Sequence, residues 1–169
     1  TTGLVILLML FKWRGHKGMS ISQHAASNRS SYFMMLAVQS ITLPMLFLFL
    51  SKWLAPSLEL PMLFIVFAGL VCGGLLLAAW IPDTKGWKST VHGLAGYGAA
   101  ILAIPCLTMI YLSPNVSSFA ESMALIVLLY EMTAVTLFAV VEKAKSNHLY
   151  IQSAYIFLFA FTTLAAAYL

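Results

Sequence analysis

Charge is what this chain has least of. Only 8% of its 169 residues are Asp, Glu, Lys or Arg, whereas 62% are hydrophobic. A soluble domain carries about 25% charged residues, so these side chains cannot build a water-facing surface, and a mean hydropathy of +0.94 points to a membrane. Cysteine is nearly missing too. Cys72 and Cys106 stand far apart with no Cys-x-x-Cys spacing, which leaves neither a disulfide framework nor a thiolate metal site and reads as two buried apolar thiols.

Several patterns are missing as well. The apolar runs do not alternate with polar residues, which excludes lumen-lining strands of a β-barrel. There is no His-x-x-x-His or His-Glu-x-x-His spacing, no nucleophile elbow, no phosphate loop and no dinucleotide fingerprint. The histidines form no second tier across the membrane, so haem is not expected, and neither is any metal or other cofactor. No inverted three-plus-three repeat is visible, which weighs against a carrier of that design.

Long apolar runs are what the chain does have. A membrane-spanning helix needs roughly 20 apolar residues, and runs at about 32–50, 60–81, 91–112, 119–141 and 149–169 meet that length. Residues 1–11 are apolar but reach only about 16 Å at 1.5 Å per residue, as the second half of a helix would. The expected fold is an all-α six-transmembrane-helix bundle forming one domain over 1–169, with its first helix incomplete. Threading the runs puts Lys12, Arg14, Lys17, Arg29, Lys85, Lys88, Lys143 and Lys145 on one side and only Lys52 on the other. The positive-inside rule then makes the basic side cytoplasmic and places both chain ends opposite, in a cytoplasmic membrane. Trp13, Trp53, Trp80 and Trp87 flank the runs as an interfacial belt. The pI near 9.2 follows from the basic loops, which suit anionic lipid head groups and call for no nucleic acid.

Local signals refine this map. Residues 20–26 suggest a short interfacial helix or a re-entrant turn, and Pro56 and Pro114 mark turns on the outer side. Pro82 ends one helix, Asp83 and Gly86 shape the following turn, and Ser89 is the expected N-cap of the next helix. Ser117 or Ser118 with Glu121 offers a capping box. Gly69-x-x-x-Gly73 suggests close helix packing, and Gly96, Ala99, Ala100 and Ala103 share a face with His92 that should point inward. Pro44 and Pro105 are expected to kink their helices.

Few polar groups remain to carry chemistry. Glu131 lies mid-run, where an ionisable group costs about 2.5–3.5 kcal/mol on insertion scales and so should face the interior with a partner. Gln39, Thr42, Tyr97, Gln152 and Tyr155 lie at similar depth. The histidines His16, His24, His92 and His148 share the basic side with Asp83 and Glu142, and they invite either a ligand site or ordinary interfacial solvation. His148, Gln152, Tyr155, Phe159 and Thr162 or Thr163 recur at helical spacing and could wall a cavity, or simply hydrogen-bond between helices.

One resemblance emerges from these residues. Ile81-Pro-Asp-Thr84, then Gly86, then His92-Gly93 followed by "LAGYGAA", together with the "SISQHAA" segment, resembles the DUF998 family of six-helix membrane proteins. The family has no established function, so the resemblance implies the fold and no catalytic residue. The chain departs from its pattern at the incomplete first helix and at Gln23-His24, where an acid is usual. More distantly, the layout is similar to Frag1/DRAM-type proteins and to the androgen-induced-gene lipid hydrolases, whose Thr and His would fall to Thr90 or Thr162 with His92.

Three functions stay open on this reading. The first is a lipid- or amphiphile-binding or auxiliary membrane protein whose cytoplasm-facing polar cavity is lined by His92, Asp83, Glu131 and Gln152, with His24, His148, Tyr97 and Gln39 as further binding candidates. The second is an intramembrane lipid hydrolase, or a metal-dependent enzyme, using His92 with Asp83 and Glu131 as candidate catalytic partners. The third is a proton-coupled carrier using Glu131. Membrane lipids and a small amphiphile are the expected partners.

Overall fold

A computed structural model describes residue 12 and residues 18–84, 86–141 and 147–168. The expected helix at 1–11 lies outside the described residues, as do Trp13, Arg14, His16, Lys17, Lys85, Glu142, Lys143 and Lys145. Among the described residues there is helix and no strand. Among the described residues, five helices are long and apolar enough to cross a membrane. A short helix α1 (Ile21–Ala26) precedes α2 (Arg29–Phe49), α3 (Met62–Trp80), α4 (Trp87–Tyr111), α5 (Ser118–Val140) and α6 (His148–Tyr168). Where no water competes for backbone groups, a helix satisfies each N–H and C=O within itself, so unbroken apolar runs become helices.

Each long helix packs against the next in the chain, and α6 returns to touch both α1 and the far end of α2. The main core gathers Leu50, Leu54, Phe64, Ala103, Cys106 and Ile110, toward the end of the bundle remote from α1. Outward positions such as Leu70, Leu94, Ile126, Leu129 and Phe157 are exposed and apolar, as a hydrocarbon surround requires. Trp53, Trp80 and Trp87 are exposed near helix ends.

Several local expectations change. Pro56 does not mark a turn: α2 passes through a π-helical turn at Leu50–Leu54 and resumes over Ala55–Ser57, with Pro56 in that first resumed turn, where a missing N–H is tolerated. The chain then stops in a Schellman arrangement, with Leu60 N–H donating to Ala55 O at 2.8 Å and Glu59 N–H to Pro56 O at 3.2 Å. Glu59 holds the left-handed position at φ 52°. Ser113 Oγ donates to Leu58 O at 2.8 Å and fastens the two connections at this end.

At the other end, α3 stops at Trp80 because Ile81, preceding Pro82, is extended. The N-cap of α4 is Gly86 at φ 79°, a conformation that favours glycine. Ser89 therefore lies inside α4 and spends its hydroxyl on Asp83 instead of capping. Ser117 caps α5 by accepting from Ala120 N–H at 3.3 Å, which places Glu121 one residue beyond the capping-box position.

The close approach between α3 and α4 is made by Gly74, outside the Gly69-x-x-x-Gly73 pair. A Cβ at Gly74 would sit 2.9 Å from the Ala95 carbonyl oxygen and 3.2 Å from the Ala99 Cβ. Gly69 faces Phe47, and a Cβ at Gly73 would meet open space. Because the obstacle at Gly74 is backbone, the helices must separate to admit a methyl. Gly74→Ala should destabilise the protein by about 1–3 kcal/mol, the usual cost of overpacking. Gly73→Ala should be neutral, and thermal unfolding of the two variants in detergent checks the contrast.

Candidate functional site

The polar residues collect at the α1 end of the bundle, in two connected parts. The first is α1 itself. Ser20 starts it with a full capping box: its Oγ accepts from Gln23 N–H at 3.1 Å, and its own N–H donates to Gln23 Oε1 at 3.0 Å. Six residues cannot form a stable helix on propensity alone, so long-range contacts must hold α1 in place.

Three such contacts exist. Gln23 Nε2 donates to Asp83 Oδ2 at 2.6 Å, while Ser89 Oγ donates to the other oxygen, Oδ1, at 2.6 Å. Ser22 Oγ lies 2.7 Å from His92 Nε2, and His92 Nδ1 lies 2.8 Å from the Ile81 carbonyl oxygen. A carbonyl only accepts, so Nδ1 carries the hydrogen, and in the neutral ring Nε2 accepts from the Ser22 hydroxyl. Finally, Ile21 N–H, unable to bond within so short a helix, donates to Gln152 Oε1 of α6 at 2.9 Å. Ile21 and Ala25 fill the space beneath, against Met34 and Met35 of α2 and Leu149 and Ile156 of α6. His24 is also turned inward, 1% exposed, with both ring nitrogens unpartnered among the described residues.

The second part is a cavity of about 60 Å³ between α5 and α6, with Tyr97 of α4 on one wall. At about 30 Å³ of liquid volume per water, it has room for roughly two waters or one small head group. It is lined by Glu131, Phe138, His148, Gln152 and Tyr155 besides Tyr97, with Ala134, Val135 and Ile151 filling the intervening wall. Glu131 is 2% exposed, and among the described residues no hydrogen bond reaches its carboxyl. His148 lies between two rings, 4.5 Å from the Phe138 centroid and 6.5 Å from that of Tyr97. Tyr130 turns away and donates to the Ile151 carbonyl oxygen at 3.0 Å.

The candidates named from the sequence are thus divided. Glu131, Tyr97, His148 and Gln152 meet at the cavity, whereas Asp83 and His92 belong to the α1 contacts. Gln152 serves both parts. Gln39 is half-buried on α2 and does not line the cavity, and Thr42 donates to Val38 O in its own helix at 2.9 Å. Phe159 packs on Tyr155 with centroids 5.9 Å apart, and Thr163 donates to Ala160 O at 3.0 Å. Neither Thr90, exposed on α4, nor Thr162, buried in α6, bonds to His92. No group of three potential metal ligands occurs among the described residues.

Ser22 and Phe138 join these groups without having been singled out beforehand, whereas Ser89 had been named only as a helix cap and Gln23 only in the family pattern. One signal was available for α1: Ser20-x-x-Gln23 is a capping-box spelling. No family model, no curated protein and no solved structure matches the chain.

The bonds of α1 can be tested by release. Ala25 is 1% exposed, so a cysteine in its place should resist maleimide while α1 stays seated. Adding Asp83→Ala or His92→Ala removes a hydrogen-bonded partner, a loss of about 1.5–3 kcal/mol where a charged group is involved. Labelling at position 25 should then accelerate at least tenfold, as read by the mass of the modified protein over time.

Proposed function

We propose that this chain is a multi-pass protein of the cytoplasmic membrane that binds an amphiphile in the cavity between α5 and α6, beneath α1, and does not transform it. The observation that carries this reading is the Glu131 carboxyl, almost wholly buried, without a hydrogen bond among the described residues, and facing a cavity with Tyr97, His148, Gln152 and Tyr155. An ionisable group deep in an apolar bundle is held at a cost unless something offsets it. A bound polar head does so, while the Tyr97 ring, 45% exposed, leaves a side of the site toward the apolar exterior for a chain. The excess of Lys and Arg on one side supports a cytoplasm-facing α1 end. Likeness to the DUF998 pattern supports the same membrane setting, since Asp83 and His92, two of the residues that carry it, are the ones that hold α1.

Narrowing the cavity tests the reading. Ala134, which lines it, becomes Leu in a variant that adds bulk without adding charge. Ala134→Leu should remove the lipid-mass adducts seen on the wild type by native mass spectrometry after gentle detergent release. Equal adducts on both proteins would count against the cavity as the binding place.

One observation favours a second reading, an ester hydrolase. Ser22 Oγ at 2.7 Å from His92 Nε2, with Nδ1 oriented by a carbonyl, is the spacing of a nucleophile and its base. Against it, the same bond helps seat α1, and the Ser22 hydroxyl also lies 2.8 Å from Ser20 Oγ. On the binding reading, a fluorophosphonate should leave Ser22 unmodified; stoichiometric labelling that disappears in Ser22→Ala would establish the hydrolase instead.

A further inference from the structure

The charges and rings around the cavity say which kind of head group it suits. Glu131 and Phe138 stand two turns apart on α5, about 10 Å at 1.5 Å per residue, and Tyr155 and His148 have the same spacing on α6. The cavity is therefore elongated, with Glu131 toward one end and the Phe138–His148–Tyr97 rings toward the other. Among the described residues no Lys or Arg lines it. Asp83 adds a second carboxyl group within electrostatic reach of Tyr97 and His148. The Glu131 carboxyl is free of hydrogen bonds among the described residues, and Gln152 Oε1 is held by one N–H. An anionic head would meet the Glu131 carboxyl and, among the described lining residues, no Lys or Arg. A neutral alcohol would leave the aromatic faces unused.

We infer that the cavity binds the primary ammonium head of a lipophilic amine, its N–H groups on the Glu131 carboxylate and its charge against the ring of Tyr155, with the alkyl chain running past Tyr97. An ammonium supplies three donors, which the Glu131 carboxyl can accept, and its charge is drawn to the face of an aromatic ring. The half-exposed Tyr97 marks where the alkyl chain leaves for the apolar surround. Such a ligand is a single-chain cationic amphiphile; a phosphate-bearing lipid head would bring an anion beside the Glu131 carboxyl, with no Lys or Arg among the described lining residues. This assignment rests on the cavity reading given above and narrows it to one head-group chemistry.

The test uses the full chain in phosphatidylcholine nanodiscs with radiolabelled dodecylamine, counted as saturable binding above empty nanodiscs. Dodecanol and dodecanoate serve as competitors of equal chain length. Binding of the amine that neither competitor displaces at equal concentration, with Glu131→Gln weakening it at least tenfold, is the expected result. Tyr97→Leu, a half-exposed position that folding tolerates, should weaken the amine about threefold, and it gives the same readout if Glu131→Gln fails to assemble. Displacement by dodecanol as effective as by unlabelled amine, with both variants unchanged, would overturn the ammonium assignment and leave amphiphile binding standing. Absence of saturable binding by any of the three, each tested in labelled form, would overturn both.

Discussion

The polar end of this bundle depends on how one carboxylate is held. Asp83 follows the Pro82 that ends α3, and its two oxygens take separate donors, Gln23 from α1 and Ser89 from α4. Charge-assisted bonds of this length are about twice as strong as neutral ones. They set the angle at which the chain leaves α3 and enters α4, and they fix a six-residue helix that would not otherwise persist. From that position follow the pairing of Ser22 with His92 and of Ile21 with Gln152. The two ends of the molecule are built differently: one on apolar packing around Phe64 and Ile110, the other on directional bonds.

That difference decides how much could be read from the sequence. Unbroken apolar runs admit only one satisfied backbone, so the five long helices at and around 32–50, 60–81, 91–112, 119–141 and 149–169 were legible from run length. Ends set by a single steric rule were legible as well, as at Ile81 before Pro82. Pro56 was misread because a proline in the first turn of a resumed helix and a proline in a loop are spelled alike. Ser89 was misread for a related reason. A serine near a helix start caps it only if nothing stronger competes for its hydroxyl, and the carboxylate of Asp83 does compete.

The candidate site was legible at the level of depth and invisible at the level of pairing. Glu131, Tyr97, Gln152 and Tyr155 share a depth that residue counting reveals, and they do share a cavity. Gln39 shares that depth too, but α2 is not a wall of the cavity, and helix order around a bundle is not written in any one run. His92 read from the sequence as a cavity-lining or catalytic candidate on an inward face. Its ring meets Ser22, seventy residues away in the chain, as well as Ile81, and the first contact is made by tertiary closure alone. Small-residue spacing misled in the same way: Gly69 and Gly73 fit the motif, but the helix rotation brings Gly74 to the contact.

Gln152 belongs to both halves of the site, because its Oε1 accepts from the first turn of α1 while its side chain walls the cavity. A molecule in the cavity and the Ile21 N–H therefore draw on one amide. Whatever hydrogen-bonds to Gln152 from below and pulls that oxygen inward loosens α1 above. By thermodynamic linkage, the seated α1 lowers the affinity for such an occupant by the same factor. One shared side chain thus joins the short helix to the wall of the cavity.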